Sequence, residues 1–164
     1  MNTSPVVILT ALAALASAAA GGMMYAFSTF VMRGLDRTGP VDAITAMRGI
    51  NTAANGSAAF LLGYFGAAML AVAVGVTAVV RLTQPGSWWL LVGAVFGILG
   101  AVVTMVFNVP LNNHLDTVHP DALSPVDAAR EWQAYLSTWT AWNHVRSATS
   151  FVGSALMLVG LTYR

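Results

Sequence analysis

The side chains best suited to chemistry in this sequence are amides, imidazoles and one guanidinium, and they lie in a few short segments. One segment runs from Asn108 to His114, and a second runs from Trp139 to Arg146. In a third, Asn51 and Asn55 are four residues apart, which places them on one face of a helix. Amides and guanidinium groups donate hydrogen bonds, and imidazole exchanges protons near neutral pH. These segments therefore predict a polar binding site.

Arg146 is the strongest indication of a site, because a guanidinium one turn inside an apolar helix needs an acceptor. Asn143 lies three residues earlier and shares its helical face. Asn108 follows a strongly apolar run, where an amide is costly unless it is paired. For Asn108 a purely structural interpretation stays open. Pro110 frees a backbone carbonyl about one turn earlier, and Asn108 or Asn112 would bond to that turn.

Two histidines are candidates for proton transfer or metal binding. His144 is flanked by Asn143 and Arg146, which makes it a better candidate for a general base than His114. The two imidazoles form a poor metal site by themselves, because neither cysteine nor a nearby glutamate completes a ligand set. We therefore predict no metal site. A metal or haem redox protein that uses His114 and His144 stays an alternative.

The composition of the chain indicates where these segments lie. Of the 164 residues, 57% are hydrophobic and 8% are charged, whereas soluble domains have about 25% charged residues. Lipid rather than water tolerates such a surface. The net charge of +1 argues against a nucleic-acid partner. The absence of cysteine excludes disulfides and thiolate metal sites.

Four apolar segments predict membrane-spanning helices, over residues 5–32, 57–80, 88–111 and 143–162. We therefore predict an all-α protein: a four-transmembrane-helix bundle that forms a single membrane domain over residues 1–164. Its two long connections, each with a helical segment, lie on the same side of the membrane, together with the polar segments. The positive-inside rule predicts that this side is cytoplasmic, in a protein integral to the cell membrane. Small residues at helical spacing, such as Gly93 and Gly97, predict close helix packing within the bundle or in a homo-oligomer.

The polar segments resemble those of the anthrone oxygenase-like membrane family, which includes fungal anthrone oxygenases and many bacterial members of unknown function. The resemblance covers nearly the whole chain, and it is carried by Met23–Phe27, Ala46–Asn51, Phe107–Asn113 and Trp139–Arg146. It implies the oxidation of an anthrone to an anthraquinone, with O₂ as co-substrate and no organic cofactor. It also implies a hydrophobic small molecule as ligand, received from membrane lipid.

The resemblance further implies a role for each polar residue. His144 would remove a proton from the anthrone methylene, while Arg146 and Asn143 would stabilise the oxyanion that develops. The substrate-binding residues would be Asn108, Asn112, Asn51, Asn55, Trp142, Tyr25 and His114. Two alternatives stay open. One is a non-catalytic membrane protein that binds a quinone or a lipid-like ligand, and the other is the metal or haem redox protein.

Overall fold

The computed structural model describes residues 4–164, and within that range it consists of helices and short connections. The α-helices are α1 (Pro5–Ala26), α2 (Met32–Asp36), α3 (Pro40–Gly56), α4 (Ala58–Val80), α5 (Ser87–Val103), α6 (Val109–Thr117) and α7 (Pro125–Leu161). Two π-helical turns, Phe27–Val31 and Thr104–Asn108, join α1 to α2 and α5 to α6, and a 3-10 turn spans Pro120–Ala122. The predicted all-α class is confirmed.

Three continuous helices are long and apolar enough to cross a membrane, which supports association with a membrane. They are Pro5–Asp36, Ala58–Val80 and Ser87–Thr117. The fourth predicted span, residues 143–162, is not among them. Its apolar segment opens with Asn143, His144 and Arg146 and contains several hydroxyl residues, which lower its hydropathy.

Local capping explains where the long helices begin. Ser4 caps α1, Ser57 caps α4 and Ser124 caps α7, and in each case the serine Oγ accepts a hydrogen bond from a backbone N–H three residues later. In α1 and α7 a proline follows the cap, where its missing N–H costs nothing.

Helices α1, α4, α5 and α7 pack around a common core. α5 and α1 each contact both α4 and α7. Glycines allow α5 and α7 to approach closely: a Cβ on Gly153 would lie 2.7 Å from the backbone N of Gly97 and 2.8 Å from the carbonyl O of Gly93. The face of small residues predicted from Gly93 and Gly97 of α5 therefore packs against α7 within the same chain.

Beyond the apolar bundle lies a separate layer, which we call the cap. It consists of α3, α6 and the first half of α7. The 37 residues of α7 extend about 55 Å, well beyond the roughly 30 Å of a bilayer core. In the cap, Trp132 and Trp139 of α7 pack with Met47 of α3 and Leu115 of α6. This second apolar cluster holds α3 over one end of the bundle.

Both π-helical turns accommodate a local change in the path of the helix. The Val109 N–H donates to the carbonyl of Thr104, and the Met32 N–H donates to the carbonyl of Phe27. In α6 the cause is Pro110, which lacks an N–H and would clash with a carbonyl of a regular α-helical turn. Such turns redirect nearby side chains.

We expect Gly153→Ala to lower the melting temperature in detergent by several degrees, because its Cβ would press on the backbone of α5 and overpacking costs about 1–3 kcal/mol. The matched control is Gly22→Ala, whose Cβ would meet nothing within 4 Å. Equal melting temperatures for the two variants would show that the α5–α7 contact is not tight.

Candidate functional site

A cavity lies where the cap meets the apolar bundle. It contains about 650 Å³ of empty space, part of which is open to the surroundings. Most of its wall is apolar and includes the aromatic rings of Phe27, Phe60, Phe65 and Trp139. The polar side chains that line it are Asn51, Asn55, Tyr64, Thr104, Asn112 and Arg146.

Among residues 4–164, Arg146 is the only cation that lines this cavity, and it is 5% exposed. Its Nε donates to Asn143 Oδ1 at 2.7 Å, its Nη1 donates to Thr104 Oγ1 at 3.3 Å, and its Cζ lies 4.9 Å from the centre of the Trp139 ring. Within residues 4–164 the ion pairs involve other side chains, so no carboxylate neutralises this guanidinium. The cavity therefore favours a ligand that is anionic or carries an electron-rich oxygen.

Asn143 fixes the position of the guanidinium. Its Nδ2 donates to the Met24 carbonyl at 2.7 Å and to Ser28 Oγ at 2.5 Å. Both amide hydrogens are thereby committed to α1 and the turn after it, so Oδ1 faces the Nε of Arg146. Asn143 touches Arg146 rather than the cavity and is a positioning residue.

Thr104 links Arg146 to α4. Its Oγ1 donates to the Gly100 carbonyl at 3.0 Å and lies 2.6 Å from the Tyr64 hydroxyl. The Tyr64 hydroxyl also donates to the Gly100 carbonyl at 3.4 Å, so either hydroxyl can be the donor between Tyr64 and Thr104, whereas Arg146 acts as a donor toward Thr104. This network holds Tyr64 against the wall of the cavity.

Asn112 presents a hydrogen-bond donor to the cavity. Its Oδ1 accepts from the Tyr135 hydroxyl at 2.9 Å and from Trp139 Nε1 at 2.8 Å. Burial raises the pKa of Tyr135, which keeps its hydroxyl protonated as a donor. Because two donors converge on the oxygen of the amide, its free end is the Nδ2 group.

Asn51 adds a second donor, and its amide lies near the Tyr135 hydroxyl. The residue is 4% exposed, and its buried Nδ2 has no hydrogen-bond partner in the part of the chain that the structure describes. A buried donor without a partner costs about 1–3 kcal/mol. An oxygen atom of a ligand would satisfy it, so the cavity combines aromatic walls with donors from Asn51, Asn112 and Arg146.

Asn55 also lines the cavity, near its exposed side. Asn108, a predicted binding residue, is fully buried beside the cavity and is not part of its lining. Its Nδ2 donates to the Trp139 carbonyl at 3.2 Å. Asn108 therefore braces α7, instead of bonding to the turn that Pro110 disrupts.

His144 lies apart from this cavity. It is exposed and lines a separate surface groove, together with Arg33 and Asp36. The physical reason is helical geometry: residues two positions apart on α7 are rotated by about 200°, so His144 and Arg146 face different sides. The general-base role of His144 stays a prediction from sequence, and the geometry does not favour it.

Three other predicted binding residues also lie outside the cavity lining. The exposed His114 bonds to Glu131 at 2.6 Å. The Trp142 ring stacks on Phe107, with 3.5 Å between centroids. Tyr25 is exposed and meets another ring edge-on. The binding roles of these three residues therefore stay predictions from the sequence, which the geometry of the cavity does not favour.

Residues 4–164 contain no group of three or more histidine, cysteine, aspartate or glutamate side chains that could hold a metal ion. His114 has a glutamate partner, while His144 shares its groove with Asp36. The described residues therefore do not assemble a metal ligand set around either imidazole.

Tyr64, Thr104 and Trp139 line the cavity but are not among the site residues predicted from the sequence. For Trp139 a signal exists: it precedes Asn143 by four residues and Arg146 by seven, which is the spacing of one helical face. Tyr64 is a single phenol in an apolar helix, and its pairing with Thr104 depends on the tertiary fold.

The comparison with known families supplies the remaining evidence. The model of a family described as anthrone oxygenase matches residues 59–156, more than half of the chain. The chain belongs to the anthrone oxygenase family. The resemblance inferred from the sequence is confirmed. No curated protein and no solved structure matches the chain. The matched range contains Tyr64, Thr104, Asn112 and Arg146 of the cavity, whereas Asn51 and α3 precede it.

The pairing of Asn143 with Arg146 makes a double-mutant prediction. Asn143→Leu leaves the buried guanidinium without its closest acceptor, and removing one partner of a buried charge costs about 3–5 kcal/mol. We expect the double variant Asn143→Leu/Arg146→Met to recover much of the lost melting temperature, because the charge itself is gone.

Asn113→Leu is the control, since Asn113 is exposed and makes no side-chain hydrogen bond with the described residues. A double variant no more stable than Asn143→Leu alone would contradict the claim that Asn143 serves chiefly to hold the charge.

Proposed function

We propose that this protein oxidises a flat phenolic substrate of the anthrone type with O₂. The observation that carries the proposal is the buried Arg146, which has no acidic partner within residues 4–164 and lines the same cavity as the amides of Asn51 and Asn112. The family to which the chain belongs supports the oxygenase class.

We also propose that the second half of α7 is a fourth membrane span, residues 143–162. It packs against α1 and α5, both of which belong to helices apolar enough to cross a membrane. Several of its polar side chains, including Asn143, Arg146 and Ser150, are buried against these neighbours rather than exposed to lipid. The cavity would then lie near one membrane boundary.

An anthrone suits the donor groups of the cavity for a chemical reason. Its methylene is acidic, because loss of a proton gives an aromatic enolate whose negative charge rests on the former carbonyl oxygen. Arg146, Asn51 and Asn112 would donate to that oxygen and stabilise the enolate more than the neutral ketone. The rings of Phe27, Phe60 and Trp139 offer flat apolar surface to the rest of the molecule.

The reaction balances with O₂ as the oxidant. The methylene C–H bond breaks, the proton leaves to water at the open side of the cavity, and the electron pair enters the enolate. The enolate carbon then transfers electrons to O₂ and bonds to it, and a proton from water completes a hydroperoxide. Loss of water breaks the O–O bond and the second C–H bond, so one anthrone and one O₂ give one quinone and one water.

Oxidation of emodin anthrone under air by the purified protein in detergent tests this proposal. We expect Arg146→Met to reduce kcat/KM by about 10²–10³-fold, the effect of removing one oxyanion donor. His144→Ala should keep most of the activity, since His144 lines another groove. Loss of activity in His144→Ala with retention in Arg146→Met would overturn the assignment of the site.

The charge of Arg146 also predicts how the ligand ionises when bound. A nearby cation favours an anion, so the wild-type protein should lower the pKa of bound emodin anthrone by about 1–3 units. An anaerobic absorbance titration measures this without turnover. Arg146→Met should lose the shift. An unchanged or raised ligand pKa in the wild type would contradict oxyanion stabilisation.

The same two experiments separate the enzyme from the alternative of a quinone-binding or lipid-binding protein. A non-catalytic protein would bind the anthrone anaerobically and show no acceleration over the spontaneous reaction in air.

A further inference from the structure

We propose that the substrate reaches the cavity sideways from the lipid, through a groove between α1 and α4 that is gated by the ring of Phe60. This inference rests on the proposed function, because it concerns the route of the same hydrophobic substrate.

The groove lies on the outer surface of the helices. Small residues line most of it, among them Ala16 and Ala19 of α1 and Ala59 and Gly63 of α4. No charged side chain from the described part of the chain contributes to its wall. It contains about 630 Å³ of empty space and opens outward. Since both helices are apolar enough to cross a membrane, this opening would face lipid chains rather than water.

The groove and the cavity share a wall. Phe60 and Tyr64 line both of them, and their rings stack with centroids 6.0 Å apart and planes 11° apart. Tyr64 is buried and its hydroxyl lies 2.6 Å from Thr104 Oγ1, so it is fixed. Phe60 has no polar anchor and is only partly buried. Rotation of the Phe60 side chain would join the two spaces without moving the backbone.

Gly63, the glycine that lines the groove, is not required for helix packing. Further along the same face of α4, Ala67 and Ala71 are buried, and a Cβ on Gly75 would lie 3.3 Å from Ala94. A Cβ on Gly63 would meet nothing within 4 Å. The small-residue face of α4 therefore packs along most of its length but leaves open space beside the cavity.

The cavity at the end of this route contains a polar side-chain group that lacks a hydrogen-bond partner among the described residues. Asn51 lines the cavity, and its buried Nδ2 has no hydrogen-bond partner among residues 4–164. A ligand that carries one polar oxygen edge and an otherwise apolar body could cross the groove and satisfy this donor on arrival. The chemistry of the two spaces thus fits one amphipathic aromatic ligand better than a lipid acyl chain.

The test is the anaerobic association of emodin anthrone, delivered from liposomes to the protein in lipid nanodiscs and followed by stopped-flow absorbance. Gly63→Phe should narrow the groove and slow association by about tenfold, with little change in equilibrium affinity, because the cavity itself is untouched. Gly66→Phe is the matched control: it lies on the same helix, its Cβ would also meet nothing within 4 Å, and it does not line the groove.

Phe60→Ala provides a second, opposite readout: removal of the gate should raise the association rate, whereas loss of the ring contact in the cavity alone would raise only the dissociation rate. Wild-type rates in Gly63→Phe, or equal slowing in Gly63→Phe and Gly66→Phe, would overturn the route while leaving the proposed function intact. Failure of the wild-type protein to bind the anthrone at all would instead overturn the proposed function, and the route with it.

Discussion

The site depends on a guanidinium that is buried among neutral partners. Arg146 donates hydrogen bonds to the amide oxygen of Asn143 and to the hydroxyl of Thr104, and it lies over the face of the Trp139 ring. Each of these partners offers a partial negative charge. Each partner is held by another element: Asn143 by the Met24 carbonyl of α1, and Thr104 by a π-helical turn. Burying a full charge on partial charges alone is costly. The surrounding helices must therefore be arranged accurately enough to satisfy it.

Under the proposed function, this arrangement sets the stability of the folded protein against the binding of a ligand in the cavity. A carboxylate beside Arg146 would stabilise the buried charge, but it would also neutralise the field that a ligand experiences. Asn51 shows the same pattern, because its buried Nδ2 lacks a partner among the described residues. Groups that lower the stability of the empty protein are the ones able to bind an oxyanion.

The sequence predicts the helices better than it predicts the site. Apolar runs, serine caps and the low charge content are local signals, and they indicate an all-α chain suited to a membrane. Arg146 and Asn108 also stand out, because polar groups in or next to apolar runs need partners. His144 illustrates the limit: adjacency to Arg146 in sequence suggests one site, whereas helical rotation separates them. The 3.6-residue helical period by itself predicts this separation.

Other features of the site cannot be predicted from the amino-acid sequence. Tyr64 and Thr104 meet only because α4 packs on α5, and the orientation of the Asn112 amide follows from Tyr135 and Trp139 on a different helix. Such contacts join residues far apart in sequence, and without the fold no local pattern specifies them.

The most direct test of the central claim is an experimental structure of the protein with the quinone product or an anthrone bound. We expect one ligand oxygen within hydrogen-bond distance of Arg146 and of an amide Nδ2 of Asn51 or Asn112, with the rings against Trp139 and Phe60. A ligand bound in the groove beside His144, or bound in the cavity with its oxygens directed away from Arg146, would contradict the account.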